Sequence, residues 1–369
     1  MNNKRQIRLV ISLFSIAALI FAIQGLISIK KDPDFGSVDT KGWIAGIERT
    51  EKGQRAIIIK PDGEIEVSPD HLEKSFDSSL RWQPDGQRLY FMSDRKGKAR
   101  NLYRWNLATN RVQKRTLSKR PKSNPQFHKP NSACKTSSCL LISSAKVLEF
   151  ESHSGSTPQV LPPISGNGVN TAKLIAIYDA LGENFIKAQW SQDNSWIIAT
   201  IRKKNLSQVL IAQNMKSADQ APIVLLKGRN IDFDVNNQGG IAATFTDKND
   251  EHFLATTQLH KIALKQPIDL QKIMASTSAP FSKPKFDYTN SKIAFLQKGK
   301  VLSLSMKSKS EDFYVVSGED VVDFSWSADS KNIIYIEDNR IFRTLWNKND
   351  PEAIAQDLDL TEIACSPQV

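Results

Sequence analysis

One short unit recurs along this chain, and its recurrence restricts the fold more than any bulk property does. The unit is an aromatic residue, a turn former four positions later and then an aliphatic run, as in RWQPDGQRLYFMSDR (residues 81–95). The aromatic anchors are Trp82, Phe127, Trp190, Phe233, Phe286 and Trp326. Position four after each is Gly86, Asn131, Asn194, Asn237, Asn290 and Ser330, all residues that favour or tolerate turn geometry. The aliphatic run resumes at Leu89, Ile197, Ile293 and Ile333, seven residues past the anchor, and at Ile241, eight past. A constant distance of this kind is the mark of a hairpin register.

The anchors are separated by 45, 63, 43, 53 and 40 residues. Three of these separations lie near the roughly 40–45 residues of a four-stranded propeller blade. Ahead of the first anchor, GWIAGIE, RAIIIK and EIEVS supply three further short strands around Lys-Gly and Pro-Asp-Gly turns, and DLTEIA near the carboxyl end can supply a fourth. Pairing the two chain ends in this way would close a ring that otherwise leaves unpaired backbone at its edges. The expectation is therefore an all-β protein, a β-propeller over residues 41–364 with seven blades, or six in the alternative count, and a tail at 365–369. At 369 residues, 40% hydrophobic and 24% charged, the chain can bury a large core, and one repeat domain accounts for its length better than two or three ordinary ones.

The first forty residues differ. Leu9–Ile29, LVISLFSIAALIFAIQGLISI, contains no ionisable side chain, and at about 1.5 Å per residue it can cross a hydrocarbon core of about 30 Å. The competing reading is a cleaved signal peptide, since Lys4, Arg5 and Arg8 precede the run. Its length, the absence of a small-x-small pair at its end and its stop at Lys30-Lys31 favour a single transmembrane helix at 9–29, after a short tail at 1–8 and before a linker at 30–40. Basic residues ahead of the helix, against Lys30 and Lys31 offset by Asp32 and Asp34 behind it, place the amino terminus in the cytoplasm and export the large domain.

RWQPDGQRLYFMSDRKGKARNLYRWNLATN (81–110) resembles the repeat of the TolB-like β-propeller family, from Trp82 through Pro84-Asp85-Gly86 and Ser93-Asp94-Arg95 to Leu102-Tyr103 and Leu107. QWSQDNSWIIAT (189–200) and SWSADSKNIIYIED (325–338) resemble it more loosely, and the units at Phe127, Phe233 and Phe286 are degenerate. The resemblance implies relatives among envelope interaction scaffolds, the propeller halves of serine peptidases, and the sensory propellers of CadC-like membrane regulators. No hydrolase domain remains in this chain, and only eight residues precede the apolar run, so a peptidase and a DNA-binding regulator both depart from its layout.

Catalytic signatures are missing: there is no G-x-S-x-G, H-E-x-x-H, Walker-type or dinucleotide-binding glycine motif. The histidines, His71, His128, His153, His252 and His260, read as surface residues. Asp247–His252 crowds oxygen ligands but lacks the glycine and terminal glutamate of a calcium loop, so it reads as an acidic hairpin tip. Cys134 and Cys139 bracket a lengthened turn and are candidates for a local disulfide, against free thiols or metal ligation, while Cys365 reads as a free or tail thiol. Residues 170–184 can form a short helix with Leu174, Ile177, Tyr178 and Leu181 on one face. The net charge of +11 gathers in RKGKAR and KRTLSKRPK, which read as solvated loops, with no nucleic-acid-binding motif beside them.

Together these features predict a non-catalytic, single-pass protein of the inner membrane with its propeller in the periplasm. It would act as a scaffold binding another envelope or membrane protein, without cofactor, metal or nucleic acid. A small-molecule or glycan sensor using the central channel, and a lyase or hydrolase with carboxylates at the channel mouth, are the alternatives.

Overall fold

The structure, a computed structural model, describes residues 37–367 apart from 96–99, 116–122, 129–138, 145–146, 152–158, 161–183, 192–195, 203–206, 215–221, 237, 260–269 and 307–312; from 123 to 185, and at Trp190, only the backbone is described. The expected helix at 9–29, and the expected helix at 170–184 except Asn184, lie outside the described residues. Among the described residues no helix is long and apolar enough to cross a membrane.

Among the described residues, the unit Asp39–Val369 contains twenty-seven strands. The first sheet holds β1 (Ile44–Arg49), β2 (Gln54–Ile59) and β3 (Ile65–Val67), with β27 (Leu360–Cys365) added in the order β27-β1-β2-β3. The second holds β4 (Ser78–Trp82), β5 (Arg88–Ser93), β6 (Asn101–Asn106) and β7 (Arg111–Lys114). The third holds β8 (Ser123–His128), β9 (Cys139–Ser144), β10 (Val147–Glu151) and β11 (Gln159–Val160).

A seven-stranded sheet follows: β12 (Asn184–Trp190), β13 (Trp196–Arg202), β14 (Gln208–Asn214), β15 (Ile223–Val235), β16 (Gly240–Thr246), β17 (His252–Gln258) and β18 (Gln271–Ser276). The last two sheets are β19 (Phe281–Phe286), β20 (Lys292–Gln297), β21 (Lys300–Ser305) and β22 (Phe313–Val315), then β23 (Asp323–Trp326), β24 (Asn332–Glu337), β25 (Arg340–Leu345) and β26 (Glu352–Ala355). Within each sheet neighbouring strands pair antiparallel, as the short connections between consecutive strands allow.

The seven-stranded sheet has one cause. Strand β15 is thirteen residues long; Ile223–Gly228 pairs with β14 and Arg229–Val235 with β16, so one strand ends one meander and begins the next. At the changeover the chain passes so close to its neighbour that a Cβ on Gly228 would lie 2.7 Å from the Thr246 carbonyl oxygen.

Middle strands read as near-continuous apolar runs because both faces of each sheet are covered by neighbouring sheets. Ala45, Ile47, Ala56 and Ile58 pack against Leu80, Trp82, Phe91 and Trp105 of the second sheet. Ile44, Ile57 and Ile59, on the alternate face, pack against Ile334, Ile336 and Ile341 of the last. The chain ends join as the terminal motif predicts, with Ile44 opposite Cys365 and Gly46 opposite Ile363. The strand runs one residue past the expected boundary at 364: Cys365 is a buried, paired residue rather than part of a tail, and Ser366 N donates to the Trp43 carbonyl.

Candidate functional site

The anchor residues occupy a recurrent register. Trp82 faces Leu89, Phe127 faces Leu140, Trp190 faces Ile197, Phe286 faces Ile293 and Trp326 faces Ile333. The turns between them repeat as well: Gly86, Asn290 and Ser330 have φ of 72°, 60° and 58°, and each amide donates to the carbonyl three residues back. Phe233 differs. The residue opposite Ile241 is Val235, and Phe233 lies two positions earlier, opposite Ala243, after a register shift between Arg229 and Asp232.

Two anchors also bind across sheets. Trp82 Nε1 donates to the Ala364 carbonyl at 2.9 Å, and Trp326 Nε1 to the Lys285 carbonyl at 3.0 Å. An indole supplies bulk and one donor, so it fills the gap between sheets and satisfies a neighbouring strand's carbonyl.

A cavity of about 730 Å³ is lined by β4, β12, β15, β19 and β23, each the first strand of a meander, and by β27. Its walls carry alternating charge, and most of that charge stitches neighbouring strands together. Lys187 on β12 reaches Asp232 of β15 at 2.9 Å and the Phe233 carbonyl at 2.6 Å, its ammonium 5.2 Å from the Phe233 ring centre. The arrangement recurs in the next sheet: Lys285 of β19 bonds Asp323 and the Phe324 carbonyl of β23, 4.7 Å from the Phe324 ring. Lys283 also bonds Asp323, at 2.9 Å.

Carboxylates serve the remaining seams as acceptors for backbone amides. Asp232 and Asp234 accept from Lys283 N and Phe286 N, Asp323 from Ile363 N, and Glu362 from Ser79 N and Leu80 N at 2.7 and 2.8 Å. An open strand edge inside a ring needs such acceptors, since its amides have no further strand to meet.

The pairing shifts the ionisation of these groups. Burial works to raise the Asp232 carboxyl, but the Lys187 charge and hydrogen bond outweigh it and hold the group below the usual aspartate range. Asp323 follows the same balance, with burial opposed and overcome by Lys285, Lys283 and the Ile363 amide. Burial pushes Lys285 below its ordinary value, partly offset by Asp323 and reinforced by Lys283 and Arg81. Glu362 is raised by burial, against the Arg81 charge.

Of the histidines expected at the surface, His71 is instead half-buried, its Nδ1 3.1 Å from Ser75 Oγ and 3.8 Å from the buried Asp77 carboxylate. His252 begins β17 with its Nδ1 2.9 Å from Thr246 Oγ1. His128 lies on β8, and His153 and His260 lie outside the described residues. The Asp247–His252 segment forms the β16–β17 turn, where Asp247 Oδ1 accepts from the amides of Asn249 and Glu251. Cys134 lies outside the described residues, so its pairing with Cys139, at the start of β9, does as well. The buried Cys365 thiol is free and is pushed by burial up to about 11, which leaves it protonated and a poor nucleophile at neutral pH.

The repeat and chain-end motifs contain Arg81, Gln189, Ser325, Phe286, Trp326 and Glu362, but as parts of strands and not as cavity residues, and Lys187, Asp232, Lys285 and Asp323 lie outside them. The signal that could have found them is the Asp-Phe dipeptide at Asp232-Phe233 and Asp323-Phe324, each with a lysine 45 or 38 residues upstream.

Neither a family model nor a curated protein matches the sequence. Solved structures do match the fold. TolB from Acinetobacter baumannii is 13% identical with a TM-score of 0.50, over 89% of this chain and 67% of that one. The periplasmic gluconolactonase of Pseudomonas aeruginosa is 11% identical with a TM-score of 0.53, over 88% and 98%. A putative 6-phosphogluconolactonase of Bacteroides fragilis is 9% identical with a TM-score of 0.55, over 90% and 99%. At these identities the likeness is one of fold: the chain is an all-β, propeller-like structure of the kind seen in TolB and the lactonases.

Proposed function

We propose that this chain is a seven-bladed propeller, tethered by residues 9–29 to the inner membrane and exported, that binds another envelope protein without catalysis. The count of seven takes the long β15 as both the last strand of one blade and the first of the next. The tether and the export rest on the apolar run and its basic flank. The proposed local disulfide at Cys134–Cys139 suits that compartment.

The observation that carries the binding reading is the rim strand β22. Phe313, Tyr314 and Val315 are exposed by 47, 40 and 39%, and among the described residues the strand pairs on one side only, with β21. Tyr314 meets Trp346 edge-to-face at 5.4 Å, and the exposed Leu345 precedes that Trp, so the apolar surface extends onto the last sheet. An open edge with apolar side chains on both faces suits pairing with an extended segment of another chain. In this reading the cavity carboxylates are structural acceptors, engaged by lysines and backbone amides of neighbouring strands.

In-cell crosslinking of the full chain tests the reading. A photoreactive residue at Tyr314 is expected to capture one envelope protein, and Phe313→Ser with Val315→Ser to abolish capture while leaving the thermal midpoint unchanged. Asp250→Cys, on the exposed β16–β17 turn, is expected to react with a membrane-impermeant maleimide once the outer membrane is opened. Labelling only after lysis would overturn the export.

A further inference from the structure

One polar atom of the central cavity, the side-chain carbonyl of Gln189, has no partner among the described residues. Gln189 on β12 is only 8% exposed; its amide nitrogen donates to Asp234 Oδ1 at 3.2 Å, while its carbonyl Oε1 is buried without a partner among the described residues. Exchanging oxygen and nitrogen would set the carbonyl against the Asp234 carboxylate and strand the amide instead, so Asp234 fixes the orientation. A buried acceptor left empty is unfavourable, and a bound donor would satisfy it.

Asp234 is itself distinctive among the cavity acids. Asp232 and Asp323 face lysines and Glu362 lies 3.8 Å from Arg81, whereas the partners of Asp234 are two amides, those of Gln189 and Phe286. Gln189 and Asp234 therefore offer a cluster of acceptors carrying one uncompensated negative charge. Lys187 against Asp232 and Asp234 leaves this wall with an excess of one acid.

The wall formed by β4, β19, β23 and β27 has the opposite excess. Arg81, Lys283 and Lys285 face Asp323 and Glu362, three cations against two acids. Both lysines share Asp323, and Arg81 Nη1 donates to the Leu80 carbonyl at 2.7 Å, while its Nε and Nη2 have no hydrogen-bond partner among the described residues. The crowding of positive charge also shows in Lys285, which burial and then the neighbouring Lys283 and Arg81 push towards its neutral form against the pull of Asp323.

From this geometry we infer that the cavity binds a small zwitterion, a free amino acid or short peptide, with its ammonium on Gln189 and Asp234 and its carboxylate towards Arg81. A volume of about 730 Å³ is in the range of small-ligand sites. An ammonium suits the acceptor pair better than neutral hydroxyls do, because it supplies donors and cancels the charge on Asp234 at once. The inference is independent of the rim strand β22, and the β22 double variant leaves it unaffected.

The test is thermal unfolding and calorimetry of the detergent-solubilised full chain with the twenty free amino acids and diglycine, each at about 10 mM, a concentration that reveals affinities of about 1 mM or better. At least one probe is expected to raise the midpoint. Its N-acetyl and carboxamide analogues should each lose about tenfold or more in affinity, as should Asp234→Asn, which keeps an acceptor for Phe286 N. Arg81→Leu should weaken the parent compound but not its carboxamide. No shift with any probe, or a shift that survives both N-acetylation and Asp234→Asn, overturns the inference; the analogue series on the unaltered protein decides the matter even if a variant fails to fold.

Discussion

At the scale of single residues, the strongest constraint is a buried charge. Arg95 and Asp77 are both fully buried, 2.5 Å apart, and Arg95 also donates to Ser68 Oγ and the Pro69 carbonyl while lying over the rings of Phe91 and Tyr103. Asp77 in turn accepts from Ala56 N, so this one pair joins the first and second sheets. Arg95→Met is expected to destabilise by about 3–5 kcal/mol, because it leaves a carboxylate buried without a cation. Arg95→Lys should recover little of this, since one ammonium cannot span the same set of acceptors. Urea denaturation measures both, and near-wild-type stability of the lysine variant would refute the account. The Ser93-Asp94-Arg95 motif was visible in the sequence, but its partner was not: Asp77 lies in a stretch with no repeat signature, and only the fold brings it to Arg95. Trp326→Phe tests the indole staple in the same way, with an expected cost of about 1–2 kcal/mol from the lost bond to the Lys285 carbonyl rather than the roughly 3–5 of removing the ring.

At the scale of elements, local chemistry and long-range pairing separate cleanly. The turns were legible because Gly86, Asn290 and Ser330 adopt left-handed backbone that few residue types accept, and that preference is written in a residue's own side chain. The Phe233 unit was misplaced by two residues because aromatic bulk was taken as the marker, whereas Val235 holds the equivalent place beside a turn closed by Asn236 and Gly240. The chain-end pairing was legible because β1 to β3 lacked a fourth strand and an apolar, alternating segment stood at the far end. Its energetic weight can be measured. Ending the chain at Asp359 removes Leu360 and Ile363 from the core shared by the first and last sheets and bares the edge of β1. The truncated protein is expected to lose its single cooperative unfolding transition and to be cut by protease within Ile44–Ile59. A midpoint equal to that of the full chain would show that β27 is an accessory and not the closure.

At the scale of the whole molecule, closure depends on seams that no sequence motif announces. The residues that meet across them are about forty positions apart, and a one-residue change of register would turn Lys187, Lys285 or Asp323 away from the cavity. Because the stitches are titratable, the ring's stability must vary with pH, and the signs differ between groups. Asp232 and Asp323 lie below their unfolded values, so what they contribute is complete above the ordinary aspartate range and is lost as pH falls through their folded-state values. Glu362 lies above its unfolded value, so protonation favours the folded ring, and its contribution fades as pH rises through the folded value. Among the described residues five carboxyls are lowered (Asp232, Asp287, Glu319, Asp323 and Asp329) and two are raised (Glu337 and Glu362), which makes the molecule acid-labile, with most of the loss below about pH 4. Asp323→Asn, which keeps an acceptor for Ile363 N but discharges the seam, is expected to cost about 1.5–3 kcal/mol at neutral pH and to flatten the acid limb of the stability curve. Glu362→Gln removes a group that gains from acid, so the stability curve should fall more steeply from the folded value of Glu362 down to the ordinary glutamate range. Urea midpoints of the full chain across about pH 3–7 give both slopes. If both variants followed the wild-type curve in parallel, the charges would be lining a channel without closing it, and the ring would be held by its apolar faces alone.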